Sequence, residues 1–155
     1  MTLRNCKNIH IKGITLTNSP MWNIHPLMSE NIIIDSVTII SPNNSPNTDG
    51  INPESSKNIL IKNSVISVGD DCVALKSGRN NDGRARNLAS ENIYIKNCTF
   101  ANGHGGIVIG SELSGGVRNV VIEDCKMSSP NLLRALRIKS NKYRGAYAVS
   151  YTHLR

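Results

Sequence analysis

A parallel β-helix is the fold this sequence predicts, and three observations predict it. A five-residue cassette recurs along the 155 residues, at Lys7-Asn8-Ile9-His10-Ile11, Glu30-Asn31-Ile32-Ile33-Ile34, Lys57-Asn58-Ile59-Leu60-Ile61, Glu91-Asn92-Ile93-Tyr94-Ile95 and Arg118-Asn119-Val120-Val121-Ile122. The cassette asparagines are 23, 27, 34 and 27 residues apart. That is the range in which one unit cannot bury its own apolar face and must stack on its neighbours. Within each cassette the apolar residues alternate, as in a strand with one buried face. No amphipathic helical stretch lies between the cassettes to support a doubly wound sheet.

Each repeat reads in the same order. The cassette is the first strand, rich in β-branched residues that fit a pleated surface. Five positions after the cassette Asn stand Gly13, Ser36, Asn63, Asn97 and Asp124, types that tolerate left-handed turn geometry and so mark a corner. The next position holds Ile14, Val37, Ser64, Cys98 and Cys125, and two further on come Leu16, Ile39, Ile66, Phe100 and Met127. Both columns read as inward-facing stacks. A second strand then closes each unit, at 22–26, 50–52, 72–76, 106–110 and 136–139. Coiled on itself, each strand pairs with its copy one turn below, about 4.8 Å away. An antiparallel sandwich gives no reason for the same Asn and the same corner to recur.

A solenoid needs about three repeats to be stable, so five coils hold a core. The sequence shows no cap before Lys7 and no sixth cassette after Arg118. The expectation is therefore about five coils, uncapped at both ends, forming one partial catalytic domain over residues 1–147. Residues 148–155 match no cassette and read as translated adapter sequence joined to a truncated gene. The formal net charge of +7 suits a polyanionic partner. With 4% aromatics and no basic run, nucleic acid is disfavoured and an acidic polysaccharide fits better. Cys6, Cys72, Cys98 and Cys125 match no zinc spacing. Cys98 and Cys125 share one register and are expected to stack as buried thiols. No apolar run is long enough for a membrane span, and no stretch reads as a secretory leader.

Polar groups concentrate before the second strand of successive coils: Asn47-Thr48-Asp49-Gly50, Gly69-Asp70-Asp71-Cys72, Gly103-His104-Gly105-Gly106 and Arg137-Ile138-Lys139. Aligning Ile51, Val73 and Ile107 puts Asp49, Asp71 and Gly105 in one column and Asp70 beside His104. The same register turns Arg137 and Lys139 outward, in columns with Ala74/Val108 and Lys76/Gly110; a slip of one residue would invert every side chain. Three carboxylates within one or two coil spacings repel and push at least one pKa up. A neutral acid then donates a proton while an ionised partner activates water. An inverting glycosidase requires that pair, about 6.5–9.5 Å apart. His104 is placed to tune the acid. Arg137 as a fork and Lys139 as a point charge suit a sugar carboxylate. Singly, each motif is an ordinary turn or loop; in register in consecutive coils they point to a site.

These motifs, with the flanking Ser45-Pro46 before Asn47 and Gly110-Ser111-Glu112-Leu113-Ser114-Gly115-Gly116, resemble those of glycoside hydrolase family 28, the polygalacturonases. The resemblance covers roughly residues 5–146. It implies a right-handed parallel β-helix that hydrolyses α-1,4 bonds between galacturonate residues of pectin with inversion, using no metal and no cofactor. By motif, Asp70 resembles the general acid, Asp49 and Asp71 the pair that activates water, and His104 the histidine that supports the acid. Arg137 and Lys139 resemble the binders of the galacturonate carboxylate, and Asn47 is placed with the substrate-binding residues. The family further implies a secreted or periplasmic protein, monomeric when whole. Family chains are usually more than twice this length, and their substrate-contacting tyrosine has no counterpart here, Tyr143 being too early. Four alternatives stay open: a rhamnogalacturonan or xylogalacturonan hydrolase on the same scaffold, a calcium-dependent pectate lyase, a non-catalytic carbohydrate-binding solenoid, and an inactive fragment. Retention of His104 and Asn47-Thr48-Asp49 favours plain polygalacturonate, and endo or exo action is undecided.

Overall fold

The computed structural model describes residues 1–141, 144–145 and 148–154; Tyr143 lies outside them. In chain order the strands are β1 (Thr2–Arg4), β2 (Lys7–Lys12), β3 (Thr15–Thr17), β4 (His25–Leu27), β5 (Glu30–Asp35), β6 (Thr38–Ile40), β7 (Lys57–Lys62), β8 (Val65–Ser67) and β9 (Asp71–Leu75). After a short helix α1 (Asn80–Arg86) come β10 (Ser90–Lys96), β11 (Thr99–Asn102), β12 (Gly105–Ile109), β13 (Val117–Glu123), β14 (Leu136–Ile138) and β15 (Ala148–Leu154). Every pairing is parallel, and each strand pairs with its counterpart one coil away, which makes the chain a parallel β-solenoid.

The cassette strands form one sheet in the order β15-β13-β10-β7-β5-β2. Ile9, Ile32, Ile59, Ile93 and Val120 are consecutive partners across it, and so are Ile11, Ile34, Ile61, Ile95 and Ile122. From the second coil on, all of these are buried. The middle strands stack Leu16, Ile39, Ile66 and Phe100, with the last three buried. On the third side Ile24, Ile51, Val73, Ile107 and Leu136 are partners. At roughly 1.5–3 kcal/mol for each fully buried side chain, these ladders are the main stabilising term.

All five predicted corner residues have positive φ: Gly13 65°, Ser36 54°, Asn63 53°, Asn97 51° and Asp124 52°. The cassette asparagines do too, from 57° at Asn8 to 54° at Asn119. Each after Asn8 donates its Nδ2 to Oδ1 of the Asn one coil earlier, at 3.0 Å, giving one continuous Asn8–Asn31–Asn58–Asn92–Asn119 ladder. Asn recurs there because it alone meets both demands at once, left-handed backbone and a self-complementary amide. The preceding column alternates in charge, Lys7, Glu30, Lys57, Glu91, Arg118, with Glu30 paired to Lys7 at 2.7 Å and to Lys57 at 3.2 Å, and Glu91 paired to Arg118.

Three features differ from the sequence reading. In the first four coils a further short strand follows the cassette, and these stretches, 15–17, 38–40, 65–67 and 99–102, form a sheet of their own. The 34-residue interval holds α1, whose helix ends on a left-handed Asn87. Beyond Arg118 a sixth strand does follow: β15 pairs with β13, Val117 to Ala148 and Ile122 to Leu154, so the backbone of the tail takes the place of a cassette. The four cysteines are free thiols, with Cys98 buried and Cys125 half-buried.

Candidate active site

The predicted register of the site holds. Ile51 is bridged to Val73, Gly105 is the partner of Asp71, and Val108 is the partner of Arg137. Asp49 and Asp71 therefore stand in adjacent coils of one column, with Gly105 next in line. The backbone N–H of His104 donates to the carbonyl of Asp70 at 2.9 Å, which sets those two side by side. Lys139 follows Ile138 at the end of β14 and donates its N–H to the carbonyl of Ile109 at 2.8 Å. Asp49, Asp70, Asp71, His104, Arg137 and Lys139 thus stand in neighbouring columns along one side of the solenoid, with Asp49 and Asp71 buried rather than outward.

Two glycines shape it. A Cβ on Gly103, at φ 153°, would meet the Asp70 carbonyl at 2.6 Å, so the His104 turn can approach Asp70 only without a side chain there. A Cβ on Gly105 would stand 3.6 Å from Asp71 Oδ1 and 3.7 Å from Arg137 Cβ. Its tightest contact would be Val108 Cγ2 at 2.4 Å; with no side chain there, Asp71 and Arg137 border a shallow trough about two coil spacings, or roughly 10 Å, long.

The carboxylates differ in surroundings. Asp70 is the accessible one: His104 Nδ1 lies 3.2 Å from its Oδ1, and the Asn47 N–H donates to its Oδ2 at 3.3 Å. Asn47 is exposed, with φ 58°, so its backbone serves Asp70 while its side chain faces outward. Asp71 is 1% exposed; Lys139 Nζ donates to its Oδ2, and its Oδ1 is buried without a hydrogen-bond partner among the described residues. Asp49 is 3% exposed. Burial pushes its pKa up, Lys76 and the Asn52 amide oppose that, and Asp70 and Asp71 add a smaller upward push. The expected upward shift is present at Asp49, but desolvation rather than like charge leads it. Lys139, expected as a free cation for substrate, is tied to Asp71 across two coils. Arg137 is half-buried and has no hydrogen bond or ion pair among the described residues, so its guanidinium is available to an anion. A hollow of about 260 Å³ opens beside His104, lined also by Asn102, Asn131 and Leu133.

Sequence reasoning missed the groups behind Asp49. Asn52 Nδ2 donates to its Oδ2 at 2.6 Å, and buried Lys76 lies 3.7 Å from the same oxygen and 2.9 Å from Glu112. The signal was available: Lys76 falls in the outward column of Lys139, one coil past Glu54.

The family model described as glycosyl hydrolases family 28 matches residues 1–154. A probable polygalacturonase of Vitis vinifera is 43% identical over 141 residues, covering 90% of this chain and 28% of that protein. An endo-polygalacturonase of Pectobacterium parmentieri is 42% identical over 136 residues, covering 88% of this chain and 31% of that one. Among solved structures, the hyperthermoactive exopolygalacturonase of Thermotoga maritima superimposes with a TM-score of 0.89 at 47% identity, over 93% of this chain and 32% of that one. The chain spans about a third or less of the length of these relatives. With a family model matched along nearly its whole length, the chain belongs to glycosyl hydrolases family 28.

Proposed function

We propose that this chain carries the catalytic coils of a hydrolase that cleaves α-1,4 galacturonosyl bonds of polygalacturonate with inversion. The observation that carries the proposal is the placement of three aspartates of unlike surroundings beside a free arginine on one trough. Polygalacturonate presents a carboxylate on every sugar, and Arg137 faces the trough with no partner of its own among the described residues.

In this reading Asp70 is the acid. It is the most open of the three, and its proton passes to the glycosidic oxygen as the bond to the leaving sugar breaks. His104, in contact with Oδ1, supports the protonated form and re-supplies it after turnover. Asp49 and Asp71, one coil apart, hold the attacking water on the opposite side and take its proton. Burial raises the pKa of Asp49, which strengthens that carboxylate as a base. Arg137 receives the substrate carboxylate, and Lys139 divides its charge between Asp71 and that carboxylate. Asn47 lies at the rim, where its amide meets sugar hydroxyls. The whole protein acts as a monomer on an acidic polysaccharide.

In the whole protein, Asp70→Asn is expected to lower kcat on polygalacturonate by 10²-fold or more while binding survives, since leaving-group protonation is lost and binding contacts are not. Reducing-sugar release together with isothermal binding of an oligogalacturonate checks it. Near-normal turnover in that variant would remove Asp70 as the acid.

A further inference from the structure

Lys76 is the residue outside the predicted set that bears most closely on the site. It follows β9, is 4% exposed, and sits with its ammonium 4.6 Å from the Trp22 ring centroid. Two carboxylates share it: Glu112 Oε2 at 2.9 Å and Asp49 Oδ2 at 3.7 Å. Asn52 donates to that same Oδ2. Among the described residues, every polar contact of the Asp49 carboxylate therefore falls on one oxygen. Glu112 is held from its other side by Arg144 at 3.0 Å, and Arg144 also donates to Ser111. A buried ammonium is unfavourable unless paired, and this one is balanced between a structural acid and a catalytic one.

We propose that Lys76 is a positioning residue for Asp49, fixing Oδ2 together with Asn52 so that Oδ1 is the oxygen presented to the attacking water. The proposal rests on the reading of Asp49 as part of the water-activating pair. Glu112 then acts as a counterweight that limits how much of the lysine's charge Asp49 feels. Asp49 is faced by Lys76, Asp70 and Asp71; behind these stand Glu112 on Lys76, His104 on Asp70 and Lys139 on Asp71. Of these groups Lys76 is the one cation in direct reach of Asp49, so removing it and removing Glu112 must act with opposite sign.

The test uses the whole protein with ¹³C-labelled aspartate, the Asp49 signal being assigned by its loss in Asp49→Asn. Lys76→Met is expected to raise the Asp49 titration midpoint. It should lower kcat about 100-fold with little change in KM, as for a reacting group misplaced by about 1 Å. Lys76→Arg is expected to keep the midpoint near that of the unaltered protein. Glu112→Gln is expected to lower it, because the ammonium is no longer divided. A midpoint unmoved in Lys76→Met, or moved the same way in both variants, as general loosening would do, overturns the proposal. Should Lys76→Met fail to fold, a midpoint that does not fall in Glu112→Gln overturns it alone. If the titrations behave as stated but the unaltered protein releases no sugar from polygalacturonate, the substrate reading fails and the placement of Asp49 stands.

Discussion

At the scale of single residues the site sets two carboxylates against each other. Glu112 is pushed up by burial but pulled further down by Lys76 and Arg144, to about 2. Its folded pKa lies below its unfolded one, so its contribution to stability is complete above about pH 4.5 and is lost as pH falls from there toward about 2. Asp49 has the opposite sign: its folded pKa is raised, so the ionised form is a liability above that pKa. In the whole protein, Asp49→Asn is accordingly expected to raise the melting temperature at pH 7 while cutting kcat by roughly 10²–10⁴-fold, as loss of a general base does. Calorimetry and a kinetic assay on the same preparation check both halves. Glu112→Gln is expected to flatten the loss of stability between pH 5 and pH 3, read from urea midpoints at each pH. The carboxylates, His104 and Arg137 were legible in the sequence because their columns follow from aligning Ile51, Val73 and Ile107. The column of Lys76 was legible too, but its burial and the place of Glu112 beside it were not. Their burial depends on Trp22, two coils away, and on Arg144, and spacing within one coil carries no record of either.

At the scale of elements, the Asn ladder is the most regular feature of the fold. Each interior member both accepts and donates one amide hydrogen bond and occupies left-handed backbone. These two roles separate by substitution. Asn58→Ala loses both bonds and places a Cβ in a conformation that disfavours it by roughly 1–2 kcal/mol, whereas Asn58→Gly loses the bonds alone. The alanine variant is expected to be destabilised by about 1–3 kcal/mol and the glycine variant by clearly less, measured by denaturant midpoint. Equal losses would assign the whole effect to the bonds. The sequence displayed the recurrence of this Asn plainly, yet the alternation around it hid its positive φ. The middle sheet escaped for a related reason. Its strands β3, β6 and β8 are three residues long and β11 is four, too short for a period of two to register. Helix α1 escaped because Asn81-Asp82-Gly83 reads as a turn and only Gly83 of the helix is buried.

At the scale of the whole molecule, the last coil is unlike the rest. Leu133, Leu136 and Ile138 are 63%, 36% and 57% exposed, while the partners of Leu136 and Ile138 one coil earlier, Ile107 and Ile109, are fully buried. Residues 1–155 expressed by themselves are expected to associate through this face and through the edge of β14. Light scattering over a concentration series checks it, and a monodisperse monomer at all concentrations would contradict it. The same coil supplies Lys139, which reaches back two coils to Asp71, 68 positions earlier in the chain. A chain emerging from the ribosome lays down its coils in order, so Asp71 is enclosed before its counter-ion exists. Until residue 139 has been made and wound into place, the nascent site carries a buried charge without compensation. Formation of the Asp71–Lys139 pair thus waits on the winding of β14, and chains arrested before that point have an unfinished trough rather than a weakened one.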